Sequence, residues 1–271
     1  IPMYGVIIAF KDFTPGKGIL GSEWVGFRWF EEFFQSMYVG RILRNTVLIN
    51  LYSLLCGFPV PIIFALLVNE VKDGFFKRSI QTVSYLPHFI TTVIIVGLIG
   101  HFLHPTDGIV NIILKEVFGF TKSFMSDPKW FRTIYISSEI WQHFGWNSII
   151  FIANLSSIDP LLYEAAKIEG AGRWKQMWYI SLPGIAPTII ILLIFNIASL
   201  LSIGFEKIIL MYNPLTLETA DVISTYVYRK GIVEARYAYG AAVGLFNSVV
   251  SFVLLVTANF ASKKLTETSL W

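Results

Sequence analysis

Polar residues along this chain are placed so that five long apolar stretches remain, roughly Ile42 to Val68, Ile80 to Phe102, Ile134 to Leu155, Ile185 to Phe205 and Gly240 to Ala261. Each is near the length of about 20 residues that a helix needs to cross about 30 Å of hydrocarbon. Lipid offers the backbone no hydrogen-bond partners, so a segment that crosses it must satisfy its own N–H and C=O groups, which a helix does. Ile1 to Phe10 is apolar but too short to span. It lacks the basic start and the small-residue cleavage site of a signal peptide, and reads as the tail of a truncated span. The expected fold is an all-α membrane protein, a polytopic bundle of about six helices with the first one truncated, forming a single domain over residues 1–271.

Breakers punctuate these stretches. Pro59 and Pro61 lie in the first, Pro87 in the second and Pro187 at the start of the fourth. Neighbouring helices can re-satisfy the freed backbone at such sites. Gly240 and Gly244 make a small-xxx-small pair that suits close helix packing. The connections differ in character: residues 11–41 are rich in aromatics (Trp24, Phe27, Trp29, Phe30, Phe33, Phe34), and the short 69–79 loop carries Lys72, Lys77 and Arg78. Adding Lys167, Arg173, Lys175, Lys263 and Lys264 puts 8 Lys and Arg residues over about 50 positions on one side, including the short 69–79 loop, against the other 13 over about 100 positions on the opposite side. The positive-inside rule then makes that side cytoplasmic.

Composition agrees with lipid as the main solvent. Mean hydropathy is +0.63, 55% of residues are hydrophobic and 14% are charged, against about 25% charged in soluble domains. The net charge of +3, with no basic stripe, argues against nucleic acid. Cys56 is the single cysteine, so no internal disulfide forms. Gly16, Gly18 and Gly21 match a dinucleotide-binding string but follow no predicted strand. No P-loop motif is present, so ATP binding of that kind is not expected in this chain. The histidines His88, His101, His104 and His143 are scattered, without metal-ligand spacing.

Between the third and fourth stretches, Tyr163 to Pro187 reads YEAAKIEGAGRWKQMWYISLPGIAP. Asp159-Pro160 is a good helix opening, and Glu164 to Lys167 favour helix. Gly170 and Gly172 break the run. Arg173 to Ile180 can form a second short helix with Trp174, Met177 and Trp178 on one face, stopped by Leu182-Pro183. Two short helices on a glycine hinge suit insertion into a groove of a soluble partner. An amphipathic helix lying at the membrane interface on its two tryptophans fits the same residues.

Glu164, Ala165, Ala166, Gly170, Ile180, Leu182 and Pro183 fall in the register Glu-Ala-Ala, three residues, Gly, nine residues, Ile, one residue, Leu-Pro. This resembles the EAA motif of binding-protein-dependent ABC importer permeases. The similarity extends over nearly the whole chain. Arg44-Asn45-Thr46 is similar to the start of that family's transport core. Gly204-Phe205-Glu206-Lys207, Tyr212-Asn213-Pro214 and Asp221–Tyr228 resemble the maltose-type sugar permeases, and more narrowly the LplB-like branch that imports polysaccharide fragments. Glu169 stands where many relatives carry Asp, with the charge kept. The resemblance implies the type I ABC importer permease fold, a bacterial cell membrane location with multiple passes, and a cytoplasmic coupling loop at 156–184 whose Glu164 to Gly170 contact an ATPase. It also implies the partners: a second, different but homologous, permease chain, two ATPase subunits that bind the ATP and Mg, and an extracellular or periplasmic substrate-binding protein. This chain would hold no cofactor, no metal and no catalytic residue.

Polar side chains inside spans are costly, and function is their first explanation. Glu139, Gln142, His143, Trp146 and Asn147 share one face of the third stretch, offering hydrogen-bonding groups and an aromatic surface suited to a sugar. Asn196, Ser199 and Ser202 share a face of the fourth, and His88 and Thr92 sit one turn apart beside Pro87. Hydrogen bonding between helices is the competing explanation for all of them. In maltose-type permeases the equivalent helices line the translocation path, so the resemblance assigns these residues to substrate contact during alternating access. A permease for another solute such as an amino acid or phosphate, an ATP-independent secondary transporter, and an intramembrane enzyme built on Glu139 and His143 stay open, although no inverted repeat and no nucleophile–base pair supports the last two.

Overall fold

A computed structural model gives the structure of residues 2–201 and 204–266. A 3₁₀ helix over Pro2–Phe10 leads into a two-residue antiparallel ribbon, β1 (Lys11–Asp12) and β2 (Glu23–Trp24), with Lys11 opposite Trp24. The glycines 16, 18 and 21 lie in the connection of this ribbon and open no βαβ unit. The longer elements that follow are helices: α1 (Arg28–Gln35), α2 (Val39–Asn69), α3 (Phe75–Phe89), α4 (Thr92–Phe102), α5 (Ile109–Phe118), α6 (Pro128–Ser156), α7 (Pro160–Ile168), α8 (Arg173–Ala198), α9 (Phe205–Met211), α10 (Ile223–Val227, widening into a π turn over Tyr228–Val233) and α11 (Tyr237–Thr266).

Among the described residues α2, α8 and α11 are each long and apolar enough to cross a membrane, and α3 with α4 and α6 with α7 bring the number to five when each bent pair counts once. Glu139, Gln142, His143 and Asn147 lower the apolarity of α6, which at 29 residues still has the length to cross. Two expected spans differ in shape. The stretch Ile80 to Phe102 is not one helix, because after Pro87 the chain passes through a 3₁₀ turn and leaves the helix at Ile90 and Thr91. Pro87 removes a donor and restricts Leu86 before it, which is how a helix ends inside an apolar run. The fourth span ends at Ala198, short of Phe205, and Phe205 opens α9.

Leu182-Pro183 also fails to stop the second loop helix. α8 runs without a break from Arg173 to Ala198 through Pro183 and Pro187. The reason is the π turn at Met177–Ser181, where Leu182 N–H bonds the Met177 carbonyl five residues back. The proline's missing donor falls where the bonding pattern is already shifted by one residue.

Contacts group the chain into two compact units. The first comprises residues 1–50, 92–135 and 198–256. Its apolar core sets Trp29 and Phe33, one turn apart on α1, against Tyr226 of α10 and Tyr239, Ala242 and Val243 of α11. The Tyr226 and Tyr239 hydroxyls share a 2.8 Å hydrogen bond. Gly240 lies against Gly231, where a methyl on either residue would meet the other's Cα, while Gly244 faces open space. Only the first glycine of the pair is therefore used for close packing within the chain.

A buried polar knot completes this unit. The Asp221 carboxylate, with no exposed side-chain surface, accepts from Arg41 at 3.2 Å and from Arg229 at 2.8 Å. Asn45 donates to the carbonyls of Glu218 (2.9 Å) and Asp221 (3.0 Å), and its Oδ1 accepts from Arg132 at 2.8 Å. The Thr46 hydroxyl accepts from Ile223 N–H at 3.0 Å and donates to the Ile42 carbonyl. Asn213 donates to the Met125 carbonyl at 2.7 Å. The sequence blocks around Asn45 and Asp221 are thus partners in one network that ties the start of α2 to the segment before α10. Each satisfied bond contributes about 1 kcal/mol, and each orphaned partner would cost about 1–3 kcal/mol.

The second unit comprises residues 51–91, 136–197 and 257–271. Ile62, Ala65 and Leu66 of α2 pack with Phe151 and Leu155 of α6 and Met177 and Ile185 of α8. α3 meets α6 at Gly145, where a side chain would overlap the Ser84 carbonyl. Two features of this unit hold the candidate residues: the element that joins α6 to α8, and a cavity bounded by α2, α6 and α8.

Candidate functional site

Asp159 opens α7 by accepting a 2.9 Å bond from the Leu161 N–H, with Pro160 supplying the fixed φ of a first helical residue. The helix closes as a Schellman turn. Ala171 N–H reaches the Ala166 carbonyl at 2.8 Å, Gly170 N–H bonds the Lys167 carbonyl, and Gly170 takes φ +77°. Gly172 then starts α8, and the Gln176 side chain donates to the Ala171 carbonyl at 2.7 Å, pinning the turn. The Tyr163 and Ser181 hydroxyls, 2.9 Å apart, link the two arms near their base. The first short arm and the glycine turn predicted from the sequence are present, while the second arm is the opening of the long helix α8.

The surface of this element is apolar and open. Leu161, Leu162, Ile168, Trp174, Trp178 and Tyr179 are all exposed, Ile168 at 88%. Glu164, Ala165 and Gly170 are exposed and Ala166 half-buried, while Ile180 and Leu182 are half-buried and Pro183 exposed. The expected stripe of Trp174, Met177 and Trp178 is divided. Met177 turns into the core beside Ile185, and the two tryptophans face outward. The π turn that begins at Met177 rotates the helix phase away from the regular spacing the sequence reading used.

The cavity holds about 630 Å³, and Ser53 of α2, Glu139, His143, Trp146 and Asn147 of α6, and Asn196 of α8 lie on its wall. Four of the five polar α6 positions singled out in the sequence therefore come together. The fifth, Gln142, does not: it is 5% exposed and donates to the Ile90 carbonyl at 3.2 Å, so it fastens α6 to the end of α3. His88 lies behind the wall, its ring parallel to the Trp146 indole at 4.5 Å between centroids. Its Nδ1 is 3.1 Å from His143 Nδ1, and His143 Nε2 is 3.7 Å from Glu139 Oε2. His88 and Thr92 do not share a helical turn, because the break at Ile90 and Thr91 leaves them on separate helices. Asn196 donates to the Leu192 carbonyl of its own helix at 2.8 Å. Ser199 falls past the end of α8 and off the cavity wall, and Ser202 lies outside the described residues.

Sequence reasoning missed Ser53. It sits in the π turn Ser53–Gly57 of α2, a widened segment followed by Pro59 and Pro61. Widened turns of this kind recur at functional sites, and the two prolines were their visible signal. The wall thus combines a carboxylate, an imidazole, two amides, a hydroxyl and an indole with apolar side chains between them. Such a lining can exchange hydrogen bonds with several hydroxyl groups while offering a flat apolar surface.

Residues 57–266 match the family of binding-protein-dependent transport system inner membrane components. The whole chain is 45% identical over 271 residues to "Protein LplB" of Bacillus subtilis (strain 168), covering 85% of that protein. It is 41% identical over 271 residues to the polygalacturonan/rhamnogalacturonan transport system permease protein YteP of the same organism, covering 84% of it. Among solved structures, 98% of the chain superposes on 89% of a chain from a bacterial ABC transporter involved in the import of the acidic polysaccharide alginate, with a TM-score of 0.90 and 46% identity. A second structure, of the alginate transporter in complex with an alginate pentasaccharide-bound periplasmic protein, gives a TM-score of 0.91 at 45% identity over 99% of this chain and 90% of that one.

Proposed function

The chain belongs to the binding-protein-dependent transport system inner membrane components, and we propose that it is the permease subunit of an ATP-driven importer for oligosaccharides released from a polysaccharide. The observation that carries this reading is the α7–Gly170–α8 element: seven motif residues in register, held by an Asp159 cap and a Schellman turn, with an apolar surface left open. That surface suits a groove on a soluble partner. In this reading residues 156–184 face the cytoplasm, and Glu164, Ala165, Ala166 and Gly170 enter a cleft of an ATPase subunit. Ile180, Leu182 and Pro183 join the loop to the span.

Two ATPase subunits bind and hydrolyse ATP with Mg, and this chain takes no part in that chemistry. A second permease subunit completes the path across the plasma membrane, and a binding protein delivers the saccharide from outside. Closure of the ATPases moves α7, and the linked start of α8 carries the motion into the spans. Saccharide hydroxyls meet Glu139, His143, Asn147 and Asn196, and a sugar ring packs on Trp146. The substrate class is supported by relatives whose names give polygalacturonan, rhamnogalacturonan and alginate.

Trp146→Ala and Asn147→Ala, placed in the assembled transporter, are expected to raise the KM for oligosaccharide uptake about tenfold, the loss of about 1.4 kcal/mol of contact. Substrate-stimulated ATPase should shift with it. Unchanged uptake by a normally assembled complex would remove the cavity from the path. Stimulation by an amino acid or phosphate in place of an oligosaccharide would move the chain to another solute class.

A further inference from the structure

Three contacts follow one another where α3 crosses α6. At Gly145 the helices touch backbone to backbone, with no room for a side chain beside the Ser84 carbonyl. One turn further along α3, His88 stacks on Trp146 with 2° between the ring planes and 4.5 Å between centroids. Beyond it the Ile90 carbonyl accepts from Gln142. Pro87, in the 3₁₀ turn that presents His88, is buried. Phe89 closes on the indole edge-on, at 5.4 Å and 84°.

The indole is 41% exposed and lines the cavity, although one of its faces is covered by the imidazole of His88. A phenyl ring at position 88 could cover the indole equally well. The imidazole adds a nitrogen that can be held: Nδ1 of His88 and Nδ1 of His143 are 3.1 Å apart. Two ring nitrogens at that distance share one proton, one donating and the other accepting. Glu139 Oε2 lies 3.7 Å from the other ring nitrogen of His143.

We propose that His88 is a positioning residue that holds the Trp146 indole in one orientation as a wall of the cavity, with His143 fixing the His88 ring. The proposal rests on the cavity being the saccharide path, which the experiment tests separately. The chain contains 8 tryptophans. The assembled transporter in lipid nanodiscs would therefore be labelled with 5-fluorotryptophan, and the Trp146 ¹⁹F resonance assigned by its loss in Trp146→Phe. In His88→Ala that resonance is expected to shift and broaden. The KM for uptake of alginate and polygalacturonate pentasaccharides into proteoliposomes should rise about tenfold, with the maximal rate within about twofold of the parent.

His88→Phe keeps the flat ring and loses the nitrogen. It should restore the position of the Trp146 resonance and most of the KM while leaving the line broader, and it provides the measurement if the alanine variant does not assemble. A sharp, unshifted Trp146 line in both variants overturns the proposal. So does a loss of maximal rate with the KM unchanged in a variant whose Trp146 line has not moved. If Trp146→Ala leaves the KM of both pentasaccharides unchanged while His88→Ala still moves the Trp146 line, the saccharide path falls and the His88–Trp146 clamp stands.

Discussion

Replacing Asp221 with alanine is expected to destabilise the protein by about 3–5 kcal/mol, the cost of stripping the partner from a buried ion pair. The carboxylate side chain is fully buried and receives Arg41 at 3.2 Å, Arg229 at 2.8 Å and the Thr225 hydroxyl at 3.1 Å. Its removal leaves two guanidinium groups facing a space with no anion. Arg41 Nε is already buried without a hydrogen-bond partner among the described residues, so the knot has little slack. The two arginines retain about 30% side-chain exposure, 32% and 29%, and some water will reach them, which places the expectation at the lower end of that range. The apparent Tm of the detergent-solubilised protein should fall by about 10 °C. Asp221→Asn, which keeps the Thr225 contact but loses the charge, should lie between the parent and the alanine variant. A change in Tm within error for Asp221→Ala would show that the knot contributes nothing to stability.

The second large effect is expected at Gly170. Its φ of +77° is the left-handed conformation, which costs an L-residue about 1–2 kcal/mol and a β-branched one more. Asn tolerates that region best among the other residues, so the order of damage should be Asn, then Ala, then Val. The turn fixes the angle between α7 and the start of α8 through the 2.8 Å bond from Ala171 N–H to the Ala166 carbonyl. If α7 carries the motion of an ATPase, Gly170→Val should lower uptake and substrate-stimulated ATPase by at least about tenfold, a barrier of about 1.4 kcal/mol. The stability of the spans and substrate capture by the binding protein should be unaffected. Equal activity of the Asn, Ala and Val variants would separate the turn geometry from transport.

Local chemistry made part of this structure legible in advance. Asp159-Pro160 and Gly170 announce a helix start and a helix end within a few residues, and both stand where the sequence put them. The long apolar runs gave the spans, because apolarity over about 20 residues needs no knowledge of neighbours. The shape of those spans was harder to see. Hydropathy averages across Pro87 and so missed the break at Ile90 and Thr91, and it read Pro183 as a stop because a π turn leaves no compositional trace. Regular helical spacing placed Gln142 on the cavity face and Met177 beside Trp174 and Trp178. Packing turned Gln142 toward Ile90 and Met177 into the core.

The Asp221 knot had no local signal at all. Its partners Arg41 and Asp221 are 180 positions apart, and only the resemblance of the surrounding blocks to sugar permeases marked them out. The stacking of His88 on Trp146 was equally invisible, since it depends on how two helices cross at Gly145.

The coupling role proposed for α7 is tested most directly with cysteines at Ala165 and Ala166. Cys56 is the single native cysteine and is exposed, so it would first be replaced by serine. With α7 in the cytoplasm, both positions should react with a membrane-impermeant maleimide only from the cytoplasmic side. A short bismaleimide should join them to the ATPase subunit in a yield that changes when ATP is added. Labelling from the outer face, or failure of either cysteine to reach an ATPase in a transport-competent complex, would contradict the coupling role.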